Sequence, residues 1–157
     1  MSKFIRINNK INNFNKIITV SGDKSLSIRW VLFSSMALGK SKAYNLLLSE
    51  DVLAAFDAVK KLGVKVKLAK NYCTVIGNGL KGYKYKKNII INSKNSGTLA
   101  RLIMGILIDT PYKIKIIGDK SLSKRDFHRI AEPLSKFGAK IKLTKKSLPL
   151  TILGNKN

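Results

Sequence analysis

A long internal repeat limits the folds open to this chain more than any other feature. The stretch LGVKVKL in the first half returns as FGAKIKL in the second, which aligns Gly63 with Gly138. The tripeptide Ile76–Asn78 likewise returns as Leu153–Asn155, at almost the same interval. Matching segments at a nearly constant interval indicate two copies of one supersecondary unit.

Hydrophobic periodicity predicts the order β-α-β-α-β-β in the first unit. The predicted elements are, in chain order, Lys16–Val20, Lys24–Leu38, Ala43–Leu48, 50–62, Val64–Ala69 and Tyr72–Ile76. The first helix is apolar on nearly every side and is predicted to end at Gly39. The second is predicted to begin after an N-cap at Ser49 and to end at Gly63.

The second unit follows the same order. Its predicted elements are Asn88–Asn92, Thr98–Asp109, Tyr112–Ile117, Arg125–Phe137, Ala139–Leu143 and Leu148–Leu153. We therefore predict an α/β fold with an N-terminal strand segment over residues 1–20 and two βαβαββ units over about 21–87 and 88–157.

A second repeat does not fit this register. The hexapeptide GDKSLS occurs at Gly22–Ser27 and again at Gly118–Ser123, an interval clearly longer than that of the unit. The first copy opens the first helix of its unit, whereas the second copy precedes the second helix. The duplication of the unit therefore does not explain the hexapeptide, which reflects either chance or a shared task.

Basic and hydroxyl side chains gather at three predicted helix starts, where backbone N–H groups and the helix dipole favour anions. Arg29 and Arg101 lie in helices that are otherwise apolar, where an unpaired guanidinium would be costly. Each could pair with a carboxylate such as Asp51 or bind an anionic ligand, and we favour the ligand. The candidate residues at these helix starts are Lys24, Ser25, Arg29, Gly97, Arg101 and Arg125.

The net charge of +23 raises the possibility of a nucleic-acid partner. However, the lysines are scattered, often at alternating strand positions, and form no long basic block. We therefore predict no nucleic-acid partner and keep a basic, non-enzymatic anion- or nucleic-acid-binding module as an alternative.

The single cysteine, Cys73, allows no internal disulfide, and His128 is predicted to lie on a helix surface. No spacing indicates a metal site, no apolar run could span a membrane, and we expect a cytoplasmic protein.

Four motifs in this order resemble 5-enolpyruvylshikimate-3-phosphate synthase. They are GDKS-x-S-x-R, NLL-x-SEDV, N-S-G-T-x-x-R and GD-x-S-L-x-K-R, and the similarity runs from about Val20 to the C-terminus. A sister enzyme, UDP-N-acetylglucosamine enolpyruvyl transferase, is the alternative, but its lysine is normally followed by Asn rather than by Ser25. The resemblance implies an inside-out α/β barrel with helices inside and sheets outside, of which this chain holds two of the three units of one lobe. The segment before residue 21 would then lie at the crossover to the other lobe.

The resemblance also implies a reaction without metal or organic cofactor, in which phosphoenolpyruvate transfers its enolpyruvyl group to the 5-hydroxyl of shikimate 3-phosphate. By this match the catalytic Lys24 lies between both substrates, and Ser25 and Arg29 also bind shikimate 3-phosphate. The phosphoenolpyruvate ligands would be Lys24, Asn95, Gly97, Thr98 and Arg125, supported by Asp51 and Arg101. The complete enzyme is expected to be a monomer.

The chain departs from the family pattern in length and at three positions. Asp126 stands where the family usually has Pro, and Ser96 and Leu102 replace the usual Ala and Pro. The family is well over twice as long, and its catalytic Asp and Glu match nothing in this chain. We therefore expect an N-terminal fragment that is inactive alone.

Overall fold

The computed structural model describes residues 4–8, 13 and 15–154. These described residues form four α-helices: α1 (Lys24–Met36), α2 (Glu50–Lys61), α3 (Gly97–Ile106) and α4 (His128–Lys136). The strands are β1 (Leu38–Tyr44), β2 (Lys65–Leu68), β3 (Tyr72–Asn78), β4 (Ile90–Asn92), β5 (Ile114–Ile117), β6 (Lys140–Thr144) and β7 (Ser147–Leu153). A short 3₁₀ turn covers Leu122–Lys124.

The strands form two sheets that share one pattern. The first sheet has the order β1-β3-β2, and the second has the order β4-β5-β7-β6. In both, the last strand of the unit lies between two antiparallel neighbours, while β4 adds a parallel strand at the edge of the second sheet. The predicted α/β architecture of repeated units is confirmed.

Two glycines at matching places in the repeat allow the central strand of each sheet to approach a helix end. A Cβ atom at Gly77 would lie 2.2 Å from the carbonyl oxygen of Ser34, near the end of α1. A Cβ atom at Gly154 would lie 2.1 Å from the carbonyl oxygen of Ile108, just after α3. Because such distances are impossible for a side chain, both units require glycine here.

The helices and the inner sheet faces bury one apolar core. α1 packs against α2, α3 and β3, and α3 also contacts α2 and α4. The largest buried side chains of the helices include Ile28, Leu32, Phe56, Leu99 and Ile103. On β2 the outward Lys65 and Lys67 are exposed while Val66 is half-buried, so these alternating lysines lie on a solvated sheet face.

The helices are not covered on every side. Leu26 and Phe33 of α1 are 67% and 63% exposed. A cavity of about 530 Å³ opens beside α3 and is lined by apolar and aromatic side chains that include Tyr83, Leu102 and Phe137. Apolar surface therefore remains uncovered along the helix layer.

Several predicted elements need correction. α1 ends at Met36 rather than at Leu38, and α3 ends at Ile106 rather than at Asp109. Residues 15–20 form no strand, and Ile17 and Val20 are exposed, because apolar residues alone do not make a strand without a neighbour to pair with. The strand predicted at Ala43–Leu48 is instead β1, Leu38–Tyr44, because pairing with β3 along its whole length overrides the local signal of Gly39. α4 begins at His128 rather than at Arg125.

Candidate active site

The two copies of GDKSLS fold alike over their first turn. In the first copy the carboxylate of Asp23 accepts a hydrogen bond of 2.7 Å from the backbone N–H of Leu26. In the second, Asp119 accepts one of 2.7 Å from Leu122. In both, the last serine N–H donates to the aspartate carbonyl, at 3.0 Å and 2.9 Å. The hexapeptide is therefore an aspartate-capped turn, which continues as α1 in one place and ends after the 3₁₀ turn in the other.

The first loop forms an ion pair with the start of α2. The ammonium of Lys24 lies 3.1 Å from a carboxylate oxygen of Asp51, whose side chain is 19% exposed. The hydroxyl of Ser27 accepts a hydrogen bond of 3.1 Å from the N–H of Leu47, which fixes the loop against the chain before α2. We call Lys24, Ser25, Arg29 and Asp51 the first-loop cluster.

Arg29 lies on the exposed side of α1. Its Nη1 donates a hydrogen bond of 3.2 Å to the carbonyl of Ser25, one turn earlier. The guanidinium therefore folds back over the helix start that carries Lys24. Among the described residues Asp51 pairs with Lys24 and not with Arg29, so the carboxylate alternative for Arg29 is not supported.

The second cluster is built around Gly97, the first residue of α3. A Cβ atom at Gly97 would lie 2.9 Å from Nη1 of Arg125 and 3.8 Å from Nη1 of Arg101. Nη2 of Arg125 also donates to Oδ1 of Asn95 at 3.5 Å. Two guanidinium groups therefore lie beside a helix start that has no side chain at its first residue. We call Asn95, Gly97, Arg101 and Arg125 the second-loop cluster.

Arg101 is half-buried within this cluster. Its Cζ lies 5.7 Å from the centre of the Phe127 ring, within the range of a cation–π contact. Its buried Nε has no hydrogen-bond partner among the residues that the structure describes. A guanidinium held over an aromatic ring with unused donors is suited to an anionic ligand.

The start of α3 adds backbone donors to the cluster. Ser96 is the N-cap, and its hydroxyl accepts a hydrogen bond of 3.3 Å from the N–H of Leu99. The N–H groups of Gly97 and Thr98 precede the first intrahelical bond and point out of the helix start. Together with the two guanidiniums they can receive a phosphate or a carboxylate.

One residue of this region was missed by the sequence reasoning. Oδ2 of Asp119 accepts a hydrogen bond of 2.6 Å from Nδ2 of Asn95. The N–H of Leu122 above all, and then the Asn95 amide, hold the pKa of the Asp119 carboxyl below its ordinary value. The signal in the sequence was the aspartate at the cap position of the repeated hexapeptide, beside the lysine and serines on which the reasoning concentrated.

No hydrogen bond or ion pair among the described residues joins the first-loop cluster to the second. Convergence of the two GDKSLS loops on one pair of anions therefore stays a prediction.

Asp126 has a local role, because its Oδ1 accepts a hydrogen bond of 2.6 Å from the N–H of His128 at the start of α4. His128 lies exposed on the helix surface as predicted, and its Nδ1 lies 3.8 Å from Oε2 of Glu132.

The described part of the chain gives little support for a metal site or a reactive cysteine. No group of three or more His, Cys, Asp or Glu side chains could hold a metal ion within residues 4–8, 13 and 15–154. Cys73 is buried, and burial raises the pKa of its thiol, so it acts as a small apolar core residue. None of the described helices is both long and apolar enough to cross a membrane.

Comparison with known proteins decides the family. The family model described as EPSP synthase (3-phosphoshikimate 1-carboxyvinyltransferase) matches residues 8–157. The chain belongs to the EPSP synthase family. The similarity covers both clusters and both repeated units, so it includes every candidate residue named above.

Relatives and solved structures agree with this assignment. The 3-phosphoshikimate 1-carboxyvinyltransferase of Leuconostoc mesenteroides is 41% identical over 139 residues, which is 88% of this chain and 32% of that protein. The same-named protein of Streptococcus suis is 39% identical over 155 residues, 98% of this chain and 36% of that protein. The structure of EPSP synthase from Acinetobacter baumannii superposes with a TM-score of 0.83 at 37% identity, and covers 89% of this chain and 32% of that one. The chain thus spans about a third of the length of these relatives.

Proposed function

We propose that this chain supplies part of the active site of a 3-phosphoshikimate 1-carboxyvinyltransferase, which transfers the enolpyruvyl group of phosphoenolpyruvate to shikimate 3-phosphate and releases phosphate. The main support for this proposal is the arrangement of the second-loop cluster. Two guanidiniums lie at 2.9 Å and 3.8 Å from the position of a missing Cβ at Gly97, within the family motif N-S-G-T-x-x-R. The names of the relatives that match this chain support the same reaction.

In this proposal the second-loop cluster binds phosphoenolpyruvate. Arg125 grips the anion with two parallel hydrogen bonds, and the N–H groups of Gly97 and Thr98 donate from the helix start. Asn95 holds Arg125 from the side, and Arg101 adds a second positive charge. The glycine matters because a methyl group would occupy the space that Arg125 uses.

The first-loop cluster binds shikimate 3-phosphate in this proposal. Ser25 supplies a hydroxyl, Arg29 supplies a guanidinium one turn later, and Asp51 holds the catalytic ammonium of Lys24 at 3.1 Å. Lys24 would lie between the two substrates and neutralise the repulsion between two anions that must approach each other. An ammonium fixed beforehand stabilises the charged transition state without a reorganisation cost at the moment of reaction.

The chemical step is addition followed by elimination. The 5-hydroxyl oxygen adds to C2 of phosphoenolpyruvate and gives up its proton to a general base, while a general acid protonates C3. The tetrahedral adduct then loses phosphate from C2 and a proton from C3 to a base, which restores the double bond. The general acid and base are expected in the part of the family fold that this chain does not match. We further propose that residues 21–157 form two units of one lobe and that residues 1–20 lead to the crossover, in a monomeric cytoplasmic enzyme.

Ligand titration of the chain, followed by NMR, tests this function. Shikimate 3-phosphate should shift the signals of Lys24, Ser25 and Arg29, and phosphoenolpyruvate should shift those of Gly97 and Arg125. Arg29→Gln should weaken the response to shikimate 3-phosphate, whereas the matched control Arg129→Gln, on the exposed surface of α4, should not. Tight binding of duplex DNA with a steep salt dependence and no response to either substrate would overturn the proposal.

A further inference from the structure

We propose that Asp119 is a positioning residue for the anion-binding guanidinium: it orients the Asn95 amide, and Asn95 in turn holds Arg125 beside Gly97. The inference rests on the proposed function, since it concerns the group that would bind phosphoenolpyruvate. It assigns a task to the aspartate of the second hexapeptide that the local turn alone does not require.

Both oxygens of the Asp119 carboxylate are in use. Oδ1 accepts from the N–H of Leu122 at 2.7 Å, and Oδ2 accepts from Nδ2 of Asn95 at 2.6 Å. The N–H of Asp119 also donates to the carbonyl of Lys94 at 2.8 Å. One residue thus connects the loop before α3 to the 3₁₀ turn that leads to Arg125.

The hydrogen bond from Asn95 fixes which end of its amide faces the arginine. An amide has a donor end and an acceptor end, and the donor Nδ2 is occupied by Asp119. The acceptor Oδ1 therefore faces Arg125, which donates to it at 3.5 Å. Without Asp119 the amide could turn its NH₂ group toward the guanidinium, and a donor would then oppose a donor.

The first hexapeptide provides an internal comparison. Asp23 caps its turn through Leu26 at 2.7 Å, as Asp119 does through Leu122. The described contacts of the Asp23 side chain include no amide like that of Asn95. Asparagine is itself a good N-cap, so Asp23→Asn and Asp119→Asn both keep an oxygen for the turn. Only Asp119→Asn replaces the acceptor of Asn95 Nδ2 by an NH₂ group, which opposes a donor to a donor.

A charge effect and a positioning effect of Asp119 predict opposite changes in anion affinity when the carboxylate is removed. The carboxylate lies exposed beside an anion site, so its removal would by charge alone tighten the binding of an anion. If Asp119 acts by positioning, its removal weakens that binding instead. The sign of the change separates the two effects.

The test measures the dissociation constants of phosphoenolpyruvate and of shikimate 3-phosphate for the full chain and four variants. The variants are Asp119→Asn, Asn95→Ala, the double variant and Asp23→Asn. We expect Asp119→Asn to weaken phosphoenolpyruvate binding about five- to tenfold, with shikimate 3-phosphate within about twofold. The double variant should bind no more weakly than Asn95→Ala, because the two residues act through one contact.

A second variant guards against a failure to fold. Asp119→Ser keeps a good N-cap residue but is too short to reach Asn95, so it should be stable and still bind phosphoenolpyruvate weakly. Equal or tighter binding by Asp119→Asn or Asp119→Ser would overturn the inference, as would an equal loss in Asp23→Asn.

A readout without substrate separates this inference from the proposed function. The guanidinium NMR signals of Arg125 should broaden in Asp119→Asn and Asn95→Ala but not in Asp23→Asn. Unchanged Arg125 signals in those two variants would overturn the positioning role even if substrates bind. If the unaltered chain binds neither substrate, the proposed function fails, while these signals still decide the positioning role.

Discussion

Replacement of Gly97 by alanine should separate stability from ligand binding. The added methyl group would lie 2.9 Å from Nη1 of Arg125, whereas ordinary contacts of a Cβ atom begin at 3.4 Å. The nearest atom is the end of a flexible side chain, so the backbone need not shift. The guanidinium must instead move away from its place beside the helix start.

The two effects of Gly97→Ala have opposite signs. Alanine at the first position of α3 should leave the free energy of unfolding unchanged or raise it by up to about 1 kcal/mol, because glycine loses more freedom in a helix. A hydrogen bond to a charged group contributes about 1.5–3 kcal/mol, and a displaced Arg125 should lose roughly half of one such bond. A loss of about 1 kcal/mol corresponds to about fivefold weaker binding of phosphoenolpyruvate.

Gly105→Ala is the matched control, because a Cβ atom at Gly105 meets no atom within 4 Å. Both residues lie in α3, so both variants test the same helix. Urea unfolding and titration calorimetry with phosphoenolpyruvate should show similar stabilities but weaker binding only for Gly97→Ala. Equal affinities of the two variants would refute the idea that Arg125 binds the ligand from the place beside Gly97.

Three further outcomes are expected. Gly77→Ala should lower the free energy of unfolding by about 1–3 kcal/mol, measured in urea, because its methyl group would meet the Ser34 carbonyl at 2.2 Å; a stability equal to that of Gly105→Ala would contradict this packing. The N–H of Leu122 above all lowers the pKa of Asp119 below 3.8, so its stabilisation is present above that pH and lost below it. The difference in unfolding free energy between the unaltered chain and Asp119→Asn should therefore shrink as the pH falls below about 4, and a constant difference would exclude this linkage. The chain 1–157 alone should release no phosphate from the two substrates, and turnover at the rate of a complete enzyme would show that the general acid and base lie within these residues. In sedimentation experiments the chain should self-associate through exposed apolar residues such as Phe33 and Phe137.

Where local chemistry decides the structure, the sequence was a good guide. α2 begins at Glu50 directly after Ser49, the predicted N-cap position, although the Ser49 hydroxyl makes no capping hydrogen bond within the described residues. The chain turns at Gly63 with a φ of +85°. The same turn recurs at Gly138 with a φ of +93°, as the repeat predicts. Caps and left-handed glycines act within one turn of the chain, so they can be recognised without knowledge of distant contacts.

Where distant contacts decide, the sequence was insufficient. β1 begins at Leu38 because it pairs with β3, and no local signal marks that start. The ion pair of Lys24 with Asp51 joins residues from different helices, whereas the sequence alone suggests Asp51 as a partner for the arginines. The link from Asp119 to Asn95 is equally invisible in the sequence, because it spans 24 positions.

The two repeats in this chain therefore have different physical origins. The repeat of the longer unit reflects packing, because Gly77 and Gly154 allow the same close approach of strand to helix end in each unit. The repeat of GDKSLS reflects a local solution, an aspartate-capped turn that presents a lysine and backbone donors wherever it is placed. What differs between its two copies is the partner outside the hexapeptide, a carboxylate for Lys24 in one and an amide for Asp119 in the other. Because identical letters give the same turn in both places, any difference in ligand between the two loops must come from residues outside the hexapeptide. These are Arg29 and Asp51 beside the first copy and Asn95 and Arg125 beside the second.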